Sequence, residues 1–474
     1  MAIGHNALTQ LPVAIRDGNW IVTVTLHQNR EIISVEPGNK ENRLYGLAVD
    51  LGSTKIAAYL VNLNQGKIVA TASSENPQIP FGADIISRIS HASKDEKSLQ
   101  QLHGVIVAAL NRLLRDLCVE AEISPSEVFD AAVVGNTAMH HIFLRINPKF
   151  LALSPYPPVV RSSVNVPVRE LGLKASPGSY VYSPPAVAGF VGADAVADII
   201  ATEIYKSESP ALLIDVGTNT EIVMNDGHRL MACSCASGPA LEGGGIEHGM
   251  RAETGAIEQV YVDAENLEPG YKTVGGGAAR GICGSGIVDT VASMLKCGMI
   301  DRNGRIASSL KTPRIRPGFK QLEYVLVWKA ETSTGHDIVV NQHDIQAIQL
   351  AKAAIYAGTA VLMAHLSLKS RDIEKMFLAG AFGTYVDPRS ALMIGMYPDI
   401  PLNRVQFVGN SAGSGARMIL LSKEIRMKAE RIARDIGYVE LGADPSFQRE
   451  FTNALYFPHR EISLFPTVDE LLAK

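Results

Sequence analysis

Apolar residues recur at helical spacing between Ser98 and Ala121. Leu99, Leu102, Val105, Ile106, Ala109, Leu113 and Leu117 share one face, which predicts a long amphipathic helix. Trp20–Thr25 and Glu31–Val35 read instead as short strands joined by the turn HQNR, and Glu36–Asn42 reads as a linker. From about Leu44 the segment LYGLAVDLGSTKIAAYLVNL is a strand pattern broken at Asp50–Thr54, and GKIVATASSE follows it as a second strand. AAVVGN (131–136) is an apolar run ending in Gly-Asn, as expected of a buried parallel strand feeding a functional loop. Gln342–Lys369 predicts a long buried helix, and MFLAGAF (376–382) another buried strand. The interval Lys311–His336 is less regular and reads as a surface insertion or a hairpin excursion.

One pattern occurs twice. ALLIDVGTNTEIVMNDGHRL (211–230) is again strand, Asp-x-Gly-Thr turn, strand, with Asp215 lying 165 residues after Asp50. The repeat predicts an α/β fold with two duplicated halves facing a cleft, residues 44–205 and 206–474, after a small β-rich segment at 1–43.

Composition narrows the class. With 46% hydrophobic and 19% charged residues, the 474-residue chain can build a sizeable core, which excludes wholesale disorder. A net charge of −4 argues against bulk electrostatic binding of nucleic acid. Ala353–Ala364 is too short to span a bilayer, and MAIGHNALTQLP has neither the basic nor the apolar part of a signal peptide. The five cysteines are scattered and odd in number, which fits reduced thiols and not a disulfide framework, and no four have ferredoxin spacing. A soluble cytoplasmic protein is the expectation.

The repeated turns suggest chemistry. In Asp50-Leu-Gly-Ser-Thr-Lys55, backbone N–H groups from Gly52 to Lys55, the Ser53 and Thr54 hydroxyls and the Lys55 ammonium would form a concavity for anionic oxygens. Asp50 would hold Mg²⁺ through water. The alternative is an ordinary hairpin with an Asp-stabilised turn. Asp215-Val-Gly-Thr-Asn-Thr220 repeats the arrangement, so Gly217, Thr218 and Asn219 would clamp a polyphosphate from the other side while Asp215 shares the metal. Two glycine runs, Ser237–Gly245 (with Gly244) and Gly281–Gly286 (with Gly284 and Ser285), stand before segments that could start helices, where backbone can approach an anion. The second misses the G-x-G-x-x-G pattern of dinucleotide folds. Gly380, Ala381 and Phe382 would set a glycine turn and an aromatic face beside a nucleoside, although Phe382 also reads as plain core. Glu242 and Glu247 flank the triple glycine as candidates to orient an attacking water, or as surface carboxylates. Cys233-Ser-Cys235 reads as packing, with a metal or redox cluster shared between subunits as the alternative; His140-His141 reads as structural, and Cys283 as a small residue near nucleotide.

In this order the features resemble the acetate kinase, sugar kinase, Hsc70 and actin superfamily of ATPases. Asp50–Lys55 looks like its first phosphate loop, Asp215–Thr220 like the second and Leu378–Gly383 like its adenosine loop. YGLAVDLGSTKIA, VVGNTAMHHIFL, LLIDVGTNTEIV, ASGPALEGGGIEHGMRAETGAIE, GICGSGIVD, DIQAIQLAKAAIYAG and LAGAFGTYVDP together resemble the reductive activators of corrinoid-dependent enzymes, from about Trp20 to the end. The resemblance implies ribonuclease-H-like, actin/Hsc70-type subdomains around an ATP cleft, with ATP and Mg²⁺ as cofactors and Asp50, Asp215 and Glu242 as catalytic groups. It implies a homodimer that returns a cob(II)alamin-type centre to cob(I). The partner would be a methyltransferase component, a corrinoid iron–sulfur protein or a methionine synthase. Such activators usually carry an iron–sulfur domain. The cysteine spacing here supplies none, so no cluster is expected in this chain, residues 1–43 read as a remnant of the linking segment, and a missing or separate electron donor is implied. A small-molecule kinase of the same fold is the rival reading, and a nucleotide-gated binding module of chaperone or actin type is a third.

Overall fold

The computed structural model describes residues 1–82, 84–319, 321–380 and 386–473, which divide into two compact units. The first comprises Met1–Glu203 with Ser411–Ile436, and the second Ile204–Asn410 with Gly437–Lys474.

The first unit opens with a helix, His5–Asp17, packed on a three-stranded sheet in which Glu31–Pro37 lies between Ala2–Ile3 and Val22–His27. The expected β-rich segment thus also carries a 13-residue helix. Ala7 and Ala14 are buried with Leu11 against Val35, Ile32 and Val22, a helical spacing masked in the sequence by Pro12, a residue that removes a helix hydrogen bond. The strand Glu31–Pro37 also runs into the stretch read as linker.

The main sheet of this unit has six strands in the order Lys67–Glu75, Lys55–Asn62, Tyr45–Leu51, Val128–Val134, Tyr180–Ser183, Val164–Pro167. The first three form an antiparallel meander, and Tyr45–Leu51 pairs parallel with Val128–Val134. The helix predicted from Ser98 spans Glu96–Glu120, is capped by Asp95 accepting from Ser98 N, and buries the expected face from Leu99 to Leu117. The helix Ser411–Leu421 packs on Ala193–Thr202 and on the two central strands. A Cβ at Gly415 would lie 2.0 Å from the Ala197 carbonyl oxygen, so only glycine lets these helices meet at backbone distance. In the division into compact units, 411–436 accordingly groups with the first. Gly415→Ala is expected to lower the unfolding free energy by about 1–3 kcal/mol, the usual range for overpacking, measurable from urea transitions.

The second unit repeats the plan. Its six-stranded sheet runs Val405–Gly409, Lys375–Ala379, Ala211–Asp215, Thr220–Asn225, Leu230–Cys235, Gly437–Tyr438. Again the hairpin strands are antiparallel, and the first of them pairs parallel with a later strand, Lys375–Ala379. Both sheets therefore carry the ribonuclease-H-like order. The helix Gln342–His365 is buried along most of its length, and Lys352 lies wholly inside it, its Nζ donating to the carbonyls of Tyr456 and Pro458 (the latter at 2.7 Å). The irregular interval Lys311–His336 is a hairpin excursion within a small antiparallel sheet of Ile315–Pro317, Leu322–Val327 and Ile338–Asn341.

Candidate functional site

In the first unit, the pairing of Asp50 with Ala57 and Leu51 with Ile56 leaves Gly52–Thr54 to reverse the chain. A Cβ at Gly52 would sit 2.6 Å from the Lys55 carbonyl oxygen, so the reversal requires glycine there. Asn76 holds the turn at both ends, Nδ2 donating to Gly52 O at 2.8 Å and its backbone N–H to Thr54 O at 2.9 Å. The neighbouring parallel strand ends at Gly135, where a Cβ would approach Leu51 O to 2.8 Å, and Asn136 caps the helix Thr137–Phe143 by accepting from Met139 N at 2.9 Å. Gly192 brings the start of the helix Ala193–Thr202 onto Asn136, and Ala193 N donates to Gly135 O at 3.0 Å. Asp50, at the strand end opposite Val134, is half-buried, and after burial its charge is the main influence holding the Tyr59 hydroxyl protonated above its usual range.

In the second unit, Asp215 pairs with Glu221 across the hairpin and with Ala379 on the parallel strand. Gly380 follows at φ +87°, and a Cβ there would lie 2.7 Å from Asp215 Oδ1 and 2.5 Å from Val216 O. The loop Gly217–Asn219 is held by Ser237–Glu242. Ser237 Oγ donates to Gly217 O at 2.9 Å, Gly238 N to Thr218 O at 3.0 Å, and Thr218 Oγ1 to Glu242 Oε1 at 3.0 Å. The two stretches separated in sequence thus become one constellation, with Glu242 on the Asp215 loop. Glu247 does not join it: it is exposed, and its N–H is tied to Asp344 Oδ1 at 2.9 Å.

Other expected residues fall elsewhere. Gly244 packs on Pro239, 2.7 Å from a would-be Cβ. Gly284 and Ser285 are buried in the first turn of the helix Gly284–Lys296, and Ser285 Oγ donates to Glu258 O at 2.8 Å. The Ser285 hydroxyl is thereby engaged by a backbone carbonyl of the strand Ala256–Val262. Ala381 and Phe382 lie outside the described residues. Asn76 and Gly192 carried no signal read as functional. Gly-Asn at 135–136 was legible as the end of a buried strand that feeds a functional loop.

The packing residues behave as read. His141 donates from Nδ1 to Thr137 O at 2.7 Å and accepts at Nε2 from Val159 N at 3.0 Å, which selects the neutral tautomer. Burial, with His141 adding, pushes the His140 imidazole down to about 3. Burial holds the Cys233 and Cys235 thiols far above their usual range, and Cys233 Sγ lies 3.7 Å from Gly358 O. Both thiols are expected to resist a disulfide reagent such as DTNB in the folded protein and to react after denaturation; rapid labelling of the native chain would contradict their packing role.

Among the described residues no three His, Cys, Asp or Glu side chains converge on a metal position. Mg²⁺ needs no such set, since one or two carboxylates with phosphate oxygens and water suffice. The space that glycine at 380 leaves beside Asp215 Oδ1 fits that role.

Residues 209–469 match the family model described as the C-terminal domain of RACo, the ASKHA domain. Residues 45–207 match the RACo middle region, and residues 1–42 the RACo linker region. The corrinoid activation enzyme RamQ of Eubacterium limosum is 36% identical over 431 residues, which cover 90% of this chain and 72% of that protein. The Co(II) methylated amine-specific corrinoid protein reductase of Methanosarcina barkeri is 28% identical over 422 residues, covering 83% and 73%. Among solved structures, a reductive activator for corrinoid, iron–sulfur protein superposes with a TM-score of 0.89 at 38% identity, over 98% of this chain and 75% of that one. The chain belongs to the RACo family, with that family's linker, middle and ASKHA regions in order.

Proposed function

We propose that this chain is an ATP-dependent activator that promotes reduction of a Co(II) corrinoid protein to Co(I), drawing electrons from an iron–sulfur donor. The observation that carries the reading is the match over 98% of the chain to a reductive activator at 38% identity. The relatives named above carry the names of a corrinoid activation enzyme and a corrinoid protein reductase, which favours this reading over phosphotransfer to a small molecule. The partner class is a corrinoid protein, and a homodimer in the reducing cytoplasm is the assembly we infer.

The chain's own groups then take these parts. Gly52–Lys55 and Gly217–Asn219 bind phosphate oxygens through backbone N–H and hydroxyl groups. Asp50 in the first unit and Asp215 in the second are each a carboxylate that would ligate hydrated Mg²⁺, and the metal would neutralise charge on the phosphates. Glu242, fixed by Thr218, accepts a hydrogen bond from the attacking water and orients it. Reduction of Co(II) is uphill, and each 59 mV is about a factor of ten in equilibrium for one electron. A protein that bound both redox states equally would shift nothing, so activation requires nucleotide-dependent preference between the Co(II) and Co(I) partners.

The test mixes the protein with Mg-ATP, a low-potential donor and a Co(II) corrinoid protein, following phosphate release and the Co(I) absorption band together. Both are expected to rise with the partner. Phosphate transfer to a sugar or carboxylate, without a response to the corrinoid protein, would establish the kinase reading instead.

A further inference from the structure

Arg88, on the helix Ile85–Ala92 of the first unit, is among the largest side chains with no solvent exposure. Its Nε donates to Gly82 O at 2.9 Å, Nη1 reaches only the Met139 sulfur at 3.6 Å, and Nη2 has no partner. Among the described residues no carboxylate forms an ion pair with it. Asp84 caps the helix through Ser87 N at 2.8 Å. A guanidinium offers five donors and stays charged, and buried charges in folded proteins are ordinarily paired. Other buried atoms near it in the chain and on the adjoining helix also lack partners: Gln78 Oε1, His91 Nε2, Ser93 Oγ and His140 Nε2. Orphaned groups gathered in this way call for a functional explanation more than scattered ones do.

Their place in the fold supplies one. The segment leading to Arg88 starts at Asn76, which holds Gly52 O and Thr54 O of the turn. Met139, the sulfur contact of Arg88, lies in the helical turn capped by Asn136, next to Gly135 and Leu51. The unpaired guanidinium is therefore joined to the phosphate turn from two sides, through Asn76 and through Met139.

We propose that Arg88 pairs with the terminal phosphate of ATP, leaving its sulfur contact when the triphosphate binds at Gly52–Lys55. The inference rests on the reading of that turn as a phosphate loop. Arg and phosphate oxygens make strong, often bidentate hydrogen bonds, so the triphosphate relieves an unpaired buried charge that a diphosphate leaves in place. A ligand shifts a conformation only by its differential affinity, and here the differential is the terminal phosphate. Arg88 thereby becomes the group by which the first unit distinguishes ATP from ADP.

The test compares the full chain with Arg88→Met, which keeps the bulk and removes the charge, and Arg88→Lys, which keeps the charge. Thermal midpoint, calorimetric binding of ADP and of a non-hydrolysable ATP analogue, and phosphate release are measured for each. Arg88→Met is expected to melt no lower than the parent and to bind ADP within about twofold, while analogue affinity falls about tenfold and turnover about a hundredfold. Arg88→Lys recovers part of the analogue affinity. A variant that melts well below the parent yet keeps its analogue affinity would make Arg88 a structural clamp on Gly82 and overturn the proposal. If Arg88→Met does not fold, Arg88→Lys decides: unchanged preference for the analogue over ADP when the fork geometry is lost refutes the pairing. Inorganic phosphate alone, bound in an Arg88-dependent way and without competing with the analogue, marks a separate anion site and also overturns it. A parent chain that binds neither nucleotide refutes the phosphate-loop reading itself, an outcome distinct from the other three.

Discussion

Asp215→Ala is expected to lower ATP turnover by about a hundredfold or more while leaving the fold intact. The carboxylate stands at a strand end whose backbone is fixed by pairing to Glu221 on one side and Ala379 on the other. The following loop is held independently by Ser237, Gly238 and the Thr218–Glu242 hydrogen bond. Truncation therefore removes a charged group without releasing the loop, so circular dichroism and the thermal midpoint should change little while phosphate release collapses. Gly380→Ala gives the same loss by another route. It strains a φ of +87° and places a methyl group 2.7 Å from Asp215 Oδ1, displacing the carboxylate that remains. An unchanged turnover in Asp215→Ala would remove this carboxylate from the chemistry, whatever the loop binds.

The elements legible in the sequence are those whose local pattern and tertiary burial agree. Leu99 to Leu117 lie on one helical face and that face is buried; Asp50 and Asp215 end strands whose apolar runs fill two equivalent sheets. The turns were legible because a glycine between an aspartate and a hydroxyl residue has few other uses. What escaped depends on residues distant in sequence. Ser411–Leu421 belongs to the first unit because Gly415 meets the Ala197 backbone, a fact carried by no periodicity. The helix His5–Asp17 buries alanines, which weigh little in a hydrophobic pattern, and it contains Pro12. Asn76 is an ordinary residue in a loop until the fold sets it against Gly52 and Thr54. Ser285 shows the converse. A glycine-rich stretch before a helix suggested an anion site, whereas a Cβ at Gly286 would fall 2.2 Å from Ile257 O, so close packing of helix on strand also demands these small residues. Sequence alone does not separate the two demands.

The same helix supplies a second large effect. Relative to the parent chain, Asp289→Asn is expected to gain about 2.4 kcal/mol of stability as the pH rises from about 4 to about 7.5. Asp289 is 5% exposed; Oδ2 accepts from Val260 N at 3.2 Å, and Oδ1 is buried without a partner. Burial pushes its carboxyl from 3.8 up to about 6, with Asp387 adding to the rise and the Ser390 hydroxyl and Val260 N–H opposing it. Between those two values the folded chain keeps a proton that the unfolded chain has released, so this residue's contribution to stability falls as the pH rises and is lowest above about 6. Asparagine has no proton to lose, and subtracting one stability curve from the other cancels the groups that the substitution leaves alone. The constant cost of placing the amide is also removed, because only the change of the difference with pH is read. Urea transitions of both chains at matched pH values supply the measurement. A difference that stays flat across the range would mean that Asp289 ionises without penalty, its Oδ1 hydrated and the helix Gly284–Lys296 open to water on that side.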